Sequence, residues 1–105
     1  MKVSIGGKDR PVHSNMNALI ELKKEHNVDI VNGFSKDNSL ESIRSLVFIA
    51  LKYGHKKEFG KFDIDFTLED VGEWITTANM ERIVTDVLKY INEDVEVKGE
   101  PSAGE

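Results

Sequence analysis

The feature that most constrains this chain is a single stretch, residues 40–53, whose apolar positions wrap around most of a helix. At 100° per residue, Leu40, Ile43, Leu46, Val47, Ile49, Ala50, Leu51 and Tyr53 cover roughly 200° of the circumference, twice the width of an ordinary surface-helix stripe. A helix of that kind must be covered by other elements on several sides, so the remaining chain is expected to be arranged around it. Asn38 and Glu41 have capping-box spacing at its start, and Gly54 is expected to stop it.

The flanking segments supply the cover. Val3 and Ile5 alternate with Lys2 and Ser4, Gly6-Gly7 offers two-residue turn chemistry, and Val12 follows on the return, which predicts an N-terminal β-hairpin with Pro11 on an edge strand. Asn15 or Ser14 caps a first helix with Met16, Leu19, Ile20 and Leu22 on one side, ending near His26-Asn27. Residues 28–36 read as a buried connector with a left-handed turn at Gly33. Phe62, Ile64 and Phe66 alternate with Asp63 and Asp65, a period-2 signal for a third short strand at about 61–66.

Thr67 and Asp70 cap a third helix with Leu68, Val71, Trp74, Ile75 and Ala78 inward, so Trp74 is expected to be mostly buried. Gly72 inside that helix costs ~1 kcal/mol against alanine, which points to close approach by a neighbour. Asn79 caps a fourth helix with Met80, Ile83, Val84, Val87, Leu88 and Ile91 on one face. The fold class expected is α+β and mostly helical: one domain over residues 1–92, with about four helices packed on the hairpin, and a disordered acidic tail over 93–105.

Charge and composition narrow the function classes. Five acids and one lysine in residues 93–105 carry −4 of the formal net charge of −5, leaving the body near neutral at −1. Nucleic-acid binding needs a basic footprint that displaces counterions from phosphate, so no nucleic-acid partner is expected. With no cysteine, no apolar block of signal-peptide length and the longest apolar run confined to 46–51, a cytoplasmic chain with no membrane partner is expected.

The candidate chemical motifs fail on spacing. Gly54-His-Lys-Lys-Glu-Phe-Gly60-Lys61 has its second glycine one residue too far for a phosphate loop, with Phe62 where a hydroxyl residue is required. Asp63-Ile-Asp65 lacks the central glycine and terminal glutamate of a calcium loop, and His13, His26 and His55 lack zinc-ligand spacing. Glu69, Asp70 and Glu73 are what a helix N-terminus attracts through its dipole. No nucleophile, base and orienting group assemble, so the expectation is a binding protein with no catalytic residues, cofactor or metal. Phe48 falls on the polar arc of the central helix near Arg44 and Lys52, which makes these three the candidate partner-binding residues, with burial of the ring under residues 59–66 as the alternative.

The order of these segments resembles one family. A short hairpin, Asn15-Met-Asn-Ala-Leu-Ile-Glu-Leu, a connector ending in Asn32-Gly33-Phe34, the block Leu40-Glu-Ser-Ile-Arg-Ser-Leu-Val-Phe-Ile-Ala-Leu-Lys-Tyr-Gly54 and then Asp65-Phe-Thr-Leu-Glu-Asp-Val-Gly-Glu-Trp-Ile75 are together similar to the tail assembly chaperones of long-tailed, siphovirus-type bacteriophages and prophages. The resemblance covers residues 2 to about 92 and rests on order more than on any single motif. It implies a non-catalytic protein that coats the tape measure protein, recruits the tail tube protein and works in the host cytoplasm, and it is compatible with a homo-oligomer. In that family a longer form is often made by ribosomal frameshifting, and the acidic tail here resembles the end of the short form. A second class is a small acidic regulator or inhibitor that docks its tail on a basic partner.

Overall fold

The computed structural model describes residues 2–28, 30–31, 34–35 and 40–99. The chain runs β1 (Lys2–Ile5), β2 (Lys8–Pro11), α1 (Met16–His26), β3 (Ile30–Val31), β4 (Phe34–Ser35), α2 (Leu40–Phe59), α3 (Leu68–Trp74) and α4 (Met80–Gly99). This is the expected α+β architecture, with β1 antiparallel to β2 and helices making up most of the chain.

The β1–β2 hairpin follows directly from its sequence. Ile5 pairs with Lys8, and both turn residues, Gly6 at φ 65° and Gly7 at φ 84°, adopt the positive angles that a two-residue turn with the strands' own twist requires. Val3 and Ile5 are buried while Lys2 and Ser4 face solvent. In α1 the Asn15 side chain accepts a hydrogen bond from the Ala18 N–H at 2.8 Å, and Asn27 closes the helix in the left-handed region at φ 57°. The inward side of α1 carries Ala18 and Leu22, however, while Met16 and Ile20, expected inward, are exposed.

Helix α2 is the hub and packs against α1, α3, α4 and β2. Leu46, Val47, Ile49, Ala50, Leu51 and Tyr53 are all buried, as the width of the apolar arc predicts. Gly54 does not stop it. The helix continues to Phe59 and ends at Gly60, which has φ 86° and whose N–H bonds the Lys56 carbonyl at 2.7 Å. Gly54 serves packing instead: a Cβ there would lie 2.1 Å from the Pro11 carbonyl oxygen and 2.6 Å from the Val12 Cα. The missing side chain lets the end of β2 rest on the helix backbone, and the His13 N–H reaches the Ala50 carbonyl at 3.1 Å.

Three further expectations are corrected. Residues 61–66 form no strand. Phe66 is buried and Ile64 partly so, but Phe62 is exposed, so the alternation reflects a strap pinned by side chains and not by a ladder. The segment expected to be a connector with a left-handed turn at Gly33 holds a second antiparallel pair, β3 with β4, in which Ile30 pairs with Ser35 and Val31 with Phe34. Gly33, the capping position at residues 38–39 and the side chains of this hairpin lie outside what is described. The backbone of α4 runs to Gly99, past the boundary placed at 92, because Glu93, Glu96 and Lys98 are good helix formers; residues 100–105 lie outside the described residues.

The Gly54 contact yields a comparison. Gly54→Ala forces apart two backbones and is expected to cost about 3 kcal/mol. Gly60→Ala meets open space and bears only the left-handed strain of ~1–2 kcal/mol. Urea unfolding of both variants decides it, and a Gly60→Ala loss larger than that of Gly54→Ala would contradict the packing role.

Candidate functional site

Two neighbouring helix ends and a turn leave a cleft at the start of α2. Its capping box holds the beginning of α3, since Thr67 Oγ1 accepts from the Asp70 N–H at 3.1 Å and an Asp70 carboxylate oxygen accepts from the Thr67 N–H at 3.0 Å. Ile75 leaves the helix at ψ 119°, so α3 ends at Trp74 and Ala78 is not part of its stripe. Asn79 then ties the turn together: its side-chain oxygen accepts from the Thr76 N–H at 2.7 Å, and its amide donates to the Trp74 carbonyl at 3.1 Å. The expected cap thus faces backward into the turn, while the Asn79 carbonyl begins α4 by accepting from the Ile83 N–H at 3.0 Å.

This break turns Ile75 and Met80 toward the first turn of α2. The resulting cleft holds about 290 Å³; α2 lines it with Leu40, Glu41, Ile43 and Arg44, α3 with Gly72, and the segment that follows with Ile75, Thr76, Thr77 and Met80. Leu40 is 70% exposed at its rim. Gly72 explains how Arg44 fits, because a Cβ at that position would lie 3.0 Å from the Arg44 Cδ. The neighbour expected at Gly72 is therefore a side chain of α2. Arg44 Nε is shut off from solvent and has no hydrogen-bond partner.

The other candidate binding residues are engaged within the fold. Phe48 is partly buried, edge-on to His26 at 6.2 Å and to Phe66 at 6.0 Å, so it is not an exposed anchor. Phe66, the buried end of the 61–66 strap, provides the cover that was the alternative reading for this ring. Lys52 forms an ion pair with Glu21 and lies 5.3 Å from the Phe62 ring centre. The structure thus places Arg44 in a cleft and separates it from Phe48 and Lys52. Trp74, expected to be mostly buried, is half-buried: it lies against the turn at Gly6 with the Arg10 guanidinium 4.3 Å above its ring. Arg10 is held there by its Nε, which donates to the Ile5 carbonyl at 3.0 Å.

A second, wider groove lies along α1, where Ile20 and His26 line it beside Glu21, Lys52 and Tyr53. Burial opposes ionisation of Glu21, but hydrogen bonds from Lys52 and Tyr53 outweigh it and hold the carboxyl below its ordinary value. Burial and the Glu21 charge push the Tyr53 hydroxyl up to about 12. At the strap, the hydrogen bond from His55 lowers the pKa of Asp63, the two groups lying 2.8 Å apart. Glu21, Lys52 and Tyr53 satisfy one another in this groove, whereas Arg44 Nε has no partner. Among the described residues no group of three His, Cys, Asp or Glu could hold a metal ion, and no helix is long and apolar enough to cross a membrane.

No family model, curated protein or solved structure matches the chain.

The Glu21 network gives a pH dependence with a definite sign. Its folded pKa lies below the unfolded value, so its stabilising contribution is present above about pH 4.5 and is lost as pH falls through the folded pKa. Tyr53 acts oppositely: its contribution is whole below about pH 10 and is lost as pH rises toward 12. Urea midpoints measured across both ranges should fall at each end. Glu21→Gln should flatten the acid fall, and an unchanged acid slope would remove Glu21 from the account.

Proposed function

We propose that this chain is a non-catalytic tail assembly chaperone of the kind found in long-tailed phages and prophages, binding the tape measure protein and assisting tail tube assembly in the host cytoplasm. The support from sequence is the order of segments over residues 2 to about 92. The single structural observation that carries the reading is the cleft at the start of α2: Leu40, Ile43, Ile75 and Met80 leave apolar surface open beside an arginine whose Nε has no hydrogen-bond partner. A chaperone for a long amphipathic helix needs accessible apolar surface of this kind, and helix-in-groove recognition uses such anchors at i, i+3 and i+4 spacing. Burying one large apolar side chain in such a groove contributes ~1.5–3 kcal/mol, enough for selective but reversible capture when several do so.

The acidic-regulator alternative makes the opposite electrostatic demand. Its capture of a basic partner would depend on residues 93–105 and would weaken steeply with salt, which screens exposed charge within ~10 Å at 0.1 M. Co-expression with the tape measure protein of the same gene cluster separates the two. The intact chain and a chain with Glu93, Glu96, Glu100 and Glu105 changed to Gln are both expected to keep the partner soluble at low and high salt. Failure of the intact chain to bind or solubilise it would sink the chaperone reading. Capture of a basic protein that needs those four acids and is lost in salt would establish the regulator instead.

A further inference from the structure

The cleft at the start of α2 is apolar on most of its walls, yet it contains a cation whose buried donor has no partner. Arginine presents five donors in a planar fork suited to a carboxylate, and an unsatisfied buried donor is costly. Thr76 and Thr77 line the same cleft with hydroxyls and backbone carbonyls, but Arg44 Nε bonds none of them. Among the described residues Glu41 is the one carboxylate on the rim, and it is exposed, so its charge is screened by water and salt far more than that of a partly buried arginine. The first turns of α2 and α4 both border the cleft and add their partial positive charge. Apolar walls beside an arginine whose Nε lacks a partner define a complementary ligand.

We propose that this cleft is a docking site for a partner helix that presents a large apolar side chain and, within one turn of it, a carboxylate: the apolar group packs on Leu40, Ile43, Ile75 and Met80, and the carboxylate pairs with Arg44. The inference deepens the chaperone reading, since it names the surface and the kind of segment within the partner that the surface selects. Gly72 is part of the device, because its absent side chain leaves room for the Arg44 stem to lie against α3. Specificity comes from the carboxylate. A neutral apolar helix would fill the walls but leave Arg44 unsatisfied, and a basic one would be repelled.

The probe is an 18-residue synthetic amphipathic helix with leucines at i, i+3, i+4 and i+7 and one glutamate beside them, compared with the same peptide carrying glutamine. Wild type should bind the glutamate peptide about tenfold or more tightly than the glutamine peptide, the range for one charge-assisted contact. Arg44→Met keeps the stem over Gly72 and should abolish that preference. Leu40→Glu, at a side chain 70% exposed and so harmless to folding, should weaken both peptides, whereas Ile20→Glu on the other face should change neither. Equal affinity for the two peptides, a preference that survives Arg44→Met, or no binding of either overturns the proposal. Dimerisation of the chain that Leu40→Glu abolishes would put a second copy in the cleft and overturn it too. The outcomes separate from those of the chaperone reading: peptide preference with no solubilised tape measure protein sinks only the function, and solubilisation untouched by Leu40→Glu sinks only the site.

Discussion

The whole arrangement depends on how closely the N-terminal hairpin approaches the central helix at Gly54. With any side chain at that position the Pro11 and Val12 backbone could not lie where it does, and the hydrogen bond from His13 to the Ala50 carbonyl would be lost with it. That contact seats β2 on α2 and brings β1 against α4, where Arg82 donates to the Ser4 carbonyl at 3.0 Å. It also puts the Gly6 turn under Trp74, so that Arg10, Phe66 and Trp74 lock α3 to the hairpin. One small residue therefore fixes how the hairpin sits on three helices.

Once the middle of α2 is enclosed in this way, the surface left for binding lies near its ends. Residues 45–47 and 49–51 are buried, but Leu40 at one end and Phe59 at the other are exposed. The C-terminal end is crossed by the strap, whose Phe62 packs edge-on against Tyr53 at 5.2 Å and whose Asp63 holds His55. The N-terminal end has no such strap among the described residues and opens on the break between α3 and α4. The proposed chaperone function thus rests on the less covered end of the same helix that organises the core.

What could be read in the sequence was whatever depends on local chemistry. The glycine turn, the Asn15 cap, the Thr67–Asp70 box and the broad arc of α2 are all decided by neighbouring residues, and they stand where periodicity placed them. Gly54 was misjudged because a glycine after an apolar run has the same local signature whether it stops a helix or admits another backbone. Phe48 stood between an exposed anchor and a ring covered by residues 59–66 for a related reason: its cover comes from His26 and Phe66, far off in sequence, and it is the covered reading that the structure shows. The cleft itself was hidden, since Ile75 and Met80 seemed to belong to two separate core stripes and meet only because α3 ends early. Arg44 was legible as a candidate, but its missing acceptor was not.

Amide hydrogen exchange, measured on the chain alone and on its complex with the tape measure protein, tests the central claim most directly. The account predicts that the amides around Ala50 are among the slowest in both states, and that binding slows exchange at residues 40–44 and 72–80 while leaving the β1–β2 hairpin unchanged. Protection gained at the hairpin or along α1, with none at 40–44 and 72–80, would contradict it.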